Sequence, residues 1–180
     1  MIEILDDLDV LTRPDVDPRG LSLAGVRYGA KAADTVARDS VIEVTLSPIV
    51  HRVIAGSGRA TEYYGAEGEP LSREEVVESV VETEGIVHFS GKFSCRIVDG
   101  MVSGFALYGA GRGLLAHFGY LRSRDEFLEV FGTPDLAEES FDCGELMGYR
   151  HRYRAAEKQV FWDSWDEHVG WLNIGEFDSR

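Results

Sequence analysis

A chain of 180 residues, 44% of them hydrophobic, can bury one sizeable core or two small cores sharing a face, without metals or disulfides. Its net charge of −14 sets up a field that repels nucleic acid and anionic membrane and favours cationic partners. No apolar stretch approaches the ~20 residues of a membrane helix, the first residues (Met-Ile-Glu-Ile-Leu-Asp-Asp) are acidic where a signal peptide is basic, and Cys95 and Cys143 suit neither a zinc site nor a disulfide framework, so the expected location is the cytoplasm.

Residues 1–19 carry Asp6, Asp7, Asp9, Asp15 and Asp17 with Pro14 and Pro18, and read as an acidic N-terminal segment of loose order ahead of a globular unit over 20–180. Leu21, Leu23, Val26 and Tyr28 predict a strand bent at Gly25 and Gly29, and residues 31–38 predict one or two helical turns. The β-branched runs Val41–Leu46 and Ile49–Ile54 predict a pair of strands, and the glycines between Gly56 and Pro70 predict a loop.

From there a pattern repeats. Ser72-Arg73-Glu74-Glu75 has the form of a capping box and is followed by Val76, Val77, Val80 and Val81 at helical spacing, then Gly85 as the helix stop and strands around Asp99-Gly100. Ser123-Arg124-Asp125-Glu126 leads in the same way into Phe127, Leu128, Val130 and Phe131, then Gly132-Thr133-Pro134 and strands around Trp162 to Glu167. Helices near 73–83 and 124–131, each packed on antiparallel strands, give an α+β fold with a largely antiparallel sheet, in two related halves of about 20–110 and 111–180. Asp-Gly at 99–100 is the sequence of a type I′ hairpin turn. Upstream of it, Phe89, Phe93, Cys95 and Ile97 share one face of a strand, where Cys95 serves as a small hydrophobe.

Two segments of the second half carry candidate chemistry. In Tyr149–Arg154 the period of two sends Tyr149, His151 and Tyr153 to one face and Arg150, Arg152 and Arg154 to the other, a row able to hold a phosphate or carboxylate unless neighbouring acids neutralise it. Asp163-Ser164-Trp165-Asp166-Glu167 reads as a polar turn with an aromatic at its tip, either an interface anchor with a charged rim or a ring folded back on the sheet edge. Eight acids and no Lys or Arg fall between Asp125 and Glu145, and Glu138, Glu139, Asp142 and Glu145 read as solvated loop. Together with Asp163, Trp165, Asp166 and Glu167 they form the expected partner-binding set; the same charge serves solubility alone if no partner exists. The loop Gly109–Gly113 lacks the Lys-Ser or Lys-Thr of a phosphate loop, and no nucleophile elbow, zinc motif or cofactor motif occurs, so neither cofactor, metal nor catalytic residue is expected. A site built from Asp142, Cys143 and His151 has the residue types of nucleophilic catalysis with no spacing to support it.

Residues 123–174, with Ser-Arg-Asp-Glu-Phe, Phe131-Gly132-Thr133-Pro134, Tyr149, Tyr153 and Val160-Phe161-Trp162-Asp163, resemble the helix, Gly-x-Pro break and three-strand meander of BamE (an outer-membrane assembly lipoprotein) and β-lactamase-inhibitor-protein type repeats. The resemblance implies a binding protein that presents a sheet face or loop set to a protein partner, as small acidic bacterial immunity proteins do; the chain departs from the lipoprotein pattern in lacking a signal sequence and lipobox Cys. The expectation is a non-enzymatic, cytoplasmic immunity or inhibitor protein whose acidic surface caps a basic toxin or enzyme domain. The alternatives are an anion or small-molecule sensor using Arg150, Arg152 and Arg154, and an enzyme of unrecognised type.

Overall fold

The computed structural model describes residues 1–36, 38, 40–47, 49–52, 62–65, 67–72, 74–75, 78, 84–109 and 111–176. A three-stranded sheet is made by β1 (Ile2–Glu3), β2 (Leu21–Leu23) and β3 (Val26–Arg27), and α1 (Ala32–Val36) follows it. The main sheet takes β4 (Val41–Ser47), β5 (Ile49–Arg52), β6 (Glu62–Tyr64), β7 (Pro70–Leu71), β8 (Glu84–Phe89), β9 (Phe93–Val98) and β10 (Met101–Tyr108) from the first half. After a 3-10 segment (Gly113–Phe118) and α2 (Arg124–Phe131), the second half adds β11 (Leu136–Asp142), β12 (Glu145–Tyr153), β13 (Lys158–Asp163) and β14 (His168–Gly175). All pairings in this sheet are antiparallel, in the order β11-β12-β13-β14-β10-β9-β8-β4-β5-β6-β7. The fold is α+β, and the β10–β14 pairing makes one continuous sheet of the two meanders. Among the described residues no helix is long and apolar enough to cross a membrane.

The turn chemistry explains the hairpins. Asp99 and Gly100 both take positive φ, 50° and 69°, as a type I′ turn requires. Ala24 and Gly25 do the same between β2 and β3, so the strand expected over 21–28 is a tight hairpin. Gly85, read from sequence as the end of a helix, lies inside β8 with φ 154°; a Cβ there would collide with the Thr45 carbonyl of β4. Glu62–Tyr64 and Pro70, read as loop, belong to the short strands Glu62–Tyr64 and Pro70–Leu71 that extend the sheet beyond β5, because the glycines near them also permit tight reversals.

The helix expected over 73–83 lies mostly outside the described residues, but its start is visible. The Ser72 hydroxyl accepts from the Glu75 N–H at 3.2 Å while the Glu75 carboxylate accepts from the Ser72 N–H at 2.7 Å, which also holds that carboxyl below its usual pKa. At α2 the Ser123 hydroxyl accepts from the Glu126 N–H at 3.2 Å, and the Glu126 carboxylate reaches one residue further back, to the Arg122 N–H at 2.6 Å. Gly132 at φ 80° stops α2, its N–H donating to the Leu128 carbonyl at 2.9 Å.

Among the described residues, one face of the sheet carries the core in the second half. Along β13 the buried residues are Lys158, Val160 and Trp162, alternating with half-buried Gln159, Phe161 and Asp163. Phe127 and Phe131 of α2 stack on each other at 4.7 Å and cover this face, with Phe127 4.7 Å from the His151 ring and 5.6 Å from Trp162. The Arg124 guanidinium lies 3.8 Å over the Tyr149 ring. Burial and the nearby Arg124 charge pull His151 down to about 4, so it stays neutral at physiological pH.

Lys158 is the unexpected member of this core. Its ammonium donates to the Leu11 and Arg13 carbonyls at 2.8 and 2.9 Å and sits 4.5 Å from the Tyr153 ring. It thereby ties down the N-terminal segment expected to be loose, which contributes Ile4, Val10, Leu11 and Val16 to the core. Burial lowers its pKa from 10.5 to about 7, opposed by the Asp15 charge.

Two outcomes are expected. Ser72→Ala and Ser123→Ala should each lose ~1 kcal/mol in urea unfolding, since one N–H at each helix start loses its acceptor; unchanged midpoints would rule out the caps. Between pH 7 and 10.5 the native state sheds the Lys158 proton that the unfolded chain retains, so stability should rise with pH across that window, by up to ~1.4 kcal/mol per unit. In Lys158→Met this component should vanish; a variant curve parallel to wild type would mean that the buried amine keeps its proton.

Candidate partner-binding site at the acidic hairpin tips

Strand direction brings two hairpin ends together. The β11–β12 hairpin reverses at Cys143 and Gly144, both with positive φ (49° and 86°), and the β13–β14 hairpin reverses over residues 164–167. The second turn is built by Asp163, whose carboxylate accepts from the N–H groups of Trp165 and Asp166 at 2.9 and 3.2 Å. The Ser164 N–H donates to the Met147 carbonyl at 2.9 Å, which fastens this turn to β12.

Trp165 folds back on the sheet edge, as one of its two readings has it, without being covered. Its indole N–H reaches back to the Leu146 carbonyl at 2.8 Å, yet the residue remains 63% exposed. Leu146 is also the cross-strand partner of Phe141, itself 58% exposed, so two large aromatics stand at the same point of β12. Phe141 was not singled out from sequence; the signal was a bulky apolar residue within the acidic run Glu138-Glu139-Ser140-Phe141-Asp142.

The acids surround this pair. Glu139, Asp142, Glu145, Asp166 and Glu167 are exposed, Asp163 is half-buried in its turn, and neither the segment 136–147 nor 160–168 contains Lys or Arg. Glu138, Glu139, Asp142 and Glu145 are not in loops as expected. They occupy β11 and the start of β12, and the reading failed because β11 is an edge strand exposed along nearly its whole length, without an apolar alternation. Glu138 is set apart from the rest by its ion pair with Arg152 at 3.3 Å.

Other sequence candidates are not assembled. Arg150 lies 5.8 Å from the Trp171 ring on the open face of the sheet, Arg152 pairs with Glu138, and Arg154 lies past the end of β12 in the 3-10 turn Arg154–Ala156. Cys143 is exposed at a hairpin tip while His151 is buried under α2, eight residues along the same chain, so these two do not meet. Cys95 is buried and its thiol is pushed up to about 12, which leaves it an inert hydrophobe. His168, scattered in sequence, comes beside two of the acids: Asp163, Asp166 and His168 each offer a donor atom within 4.8 Å of the others, the set from which a cation would draw ligands at this end. No protein-family model, curated protein or solved structure matches the chain.

Proposed function

We propose that the protein is a non-enzymatic binding protein of the immunity or inhibitor kind, which uses its acidic hairpin tips to cap a basic toxin or enzyme domain. The observation that carries this reading is the exposed pair of Trp165, bonded to the Leu146 carbonyl, and Phe141, opposite Leu146 in the strand ladder, in segments rich in exposed acids. Large exposed aromatics on a protein surface have a use when a partner removes them from water, and they dominate binding energy where they do. The indole N–H bond to Leu146 fixes the Trp165 ring before binding, which lowers the entropy lost on association. Around these anchors, carboxylates that make no ion pair among the described residues speed the approach of a cationic surface and disfavour an anionic one. The mixed chemistry, apolar anchors within a charged rim, is that of a protein interface rather than of a catalytic cleft.

The partner is to be captured from the native host on the wild-type chain, purified, and measured by stopped-flow and dissociation kinetics. It should be basic, and its association should slow steeply as salt rises past the range where exposed charges are screened at ~8 Å. Trp165→Ala and Phe141→Ala should act on dissociation, each by ~2 kcal/mol, or roughly thirtyfold. Reversing Glu139, Asp142, Glu145 and Glu167 to Lys should slow association with little change in dissociation; Glu138 is left intact because its reversal would set a Lys beside Arg152. An acidic partner, a salt-independent rate, or turnover of a substrate by the chain would overturn the proposal.

A further inference from the structure

The opposite end of the same strands holds a different kind of site. A cavity of about 540 Å³ opens there, within the size range of small-molecule sites, lined by Arg152 and Arg154 of the β12 end, Arg19, Tyr28 and Leu136, with Glu157 and Glu176 at its wall. Nine residues of β12 at ~3.3 Å each place it roughly 30 Å from the hairpin tips, so it belongs to neither the anchor pair nor its acidic rim.

We infer that this cavity binds a small molecule with one carboxylate and a compact apolar body, held through Arg154 and Arg152. The three guanidinium groups differ in what they still have to offer. Arg19 is engaged by Asp17 at 3.4 Å and Glu157 at 3.2 Å. Arg152 gives a terminal nitrogen to Glu138 at 3.3 Å and its Nε is buried, so only the remainder of its fork faces the cavity it lines. Arg154 has its backbone N–H fixed by the Asp135 carboxylate at 2.7 Å, while its guanidinium is exposed and makes no ion pair among the described residues. A carboxylate accepts two parallel N–H bonds from such a fork and has lone pairs left for a second guanidinium, that of Arg152, in the same lining.

Charge selects the same class of ligand. The lining sets Glu157 and Glu176 against three arginines, and Asp17 and Glu138 engage Arg19 and Arg152 from outside it, so Arg154 is the lining guanidinium without an ion pair among the described residues: a single charge, the complement of a monocarboxylate rather than of a phosphate dianion. The Tyr28 ring and Leu136 provide apolar walls for the rest of the molecule. Sequence periodicity pointed to Arg150, Arg152 and Arg154 as one anion-binding row; in the fold Arg150 is outside the cavity and Arg19 is part of its wall.

The test uses the full chain with benzoate, cyclohexanecarboxylate, benzamide and inorganic phosphate as probes, followed by NMR titration. The two carboxylates should give saturable shifts at Tyr28, Arg152 and Arg154, with benzamide and phosphate at least tenfold weaker. Arg154→Gln and Arg152→Gln should each weaken benzoate about tenfold, whereas Arg150→Gln, on the open face beside Trp171, should leave it unchanged. Urea midpoints measured on all three variants separate loss of binding from loss of fold. Benzamide or phosphate binding as well as benzoate, equal losses in all three variants, or no saturable shift at the cavity would each overturn the assignment. Because the site lies away from Phe141 and Trp165, its failure leaves the partner-binding proposal intact, and Trp165→Ala should not alter benzoate binding.

Discussion

The structure depends on one constraint: in the second half a long antiparallel sheet is covered on one face only, and the strand period of two decides what every residue there does. Tyr153, Val160, Trp162, Leu172 and Ile174 fall on the covered side and are buried; Arg150, Phe161 and Trp171 fall on the other and are not. A one-residue slip of β13 would bring Phe161 under α2 and expel Trp162, losing the aromatic cluster that Phe127 and Phe131 complete. Lys158 lies on the covered side by the same parity. An amine there must find acceptors, and it finds them in the Leu11 and Arg13 carbonyls, so a segment that composition alone marks as polar becomes part of the core's cover.

The acids are segregated to where the core does not reach. β11 is the terminal strand of the sheet, and one with free N–H and C=O groups along its outer edge invites another strand to pair. Glu138, Glu139 and Asp142 on that strand, alternating to both faces, oppose such pairing by repulsion. Charges that would steer the proposed cationic partner toward the tips therefore also discourage a strand from docking along the edge. This favours an approach end-on to the hairpins, where Phe141 and Trp165 are, over sheet extension.

What was legible in the sequence was local. Asp99-Gly100, the Ser72 and Ser123 caps, and the Gly132 stop each depend on the chemistry of four or five neighbouring residues, and each is formed as read. The two faces of Tyr149–Tyr153 were legible for the same reason. Pairings between distant strands, β10 with β14 and β4 with β8, were not, because periodicity gives the face a residue takes and not the strand beside it. Gly85 was misread since the same residue type closes helices and permits close backbone approach in a sheet, and only the position of the Thr45 carbonyl decides between them. Arg19 lines the cavity, and the Trp165 indole bonds the Leu146 carbonyl, through contacts that no spacing along the chain encodes.

The fate of the arginine row shows how the fold resolves a local conflict. Alternate residues on a strand stand about 7 Å apart, close enough for Arg150, Arg152 and Arg154 to repel at ordinary ionic strength unless each is compensated separately. Arg150 is turned to Trp171, whose ring is stacked with Phe161 at 5.7 Å. Phe161 in turn lies over Gly148 and Gly170, where any side chain would strike its ring. Arg152 takes the carboxylate of Glu138 from the edge strand, and β12 ends before Arg154. Sequence symmetry among three residues is thus broken into three environments: an aromatic face, an ion pair and a strand end. The aromatic contact and the ion pair occupy two of the three charges, and Arg154, which makes no ion pair among the described residues, is the one of the row on which the proposed carboxylate site rests.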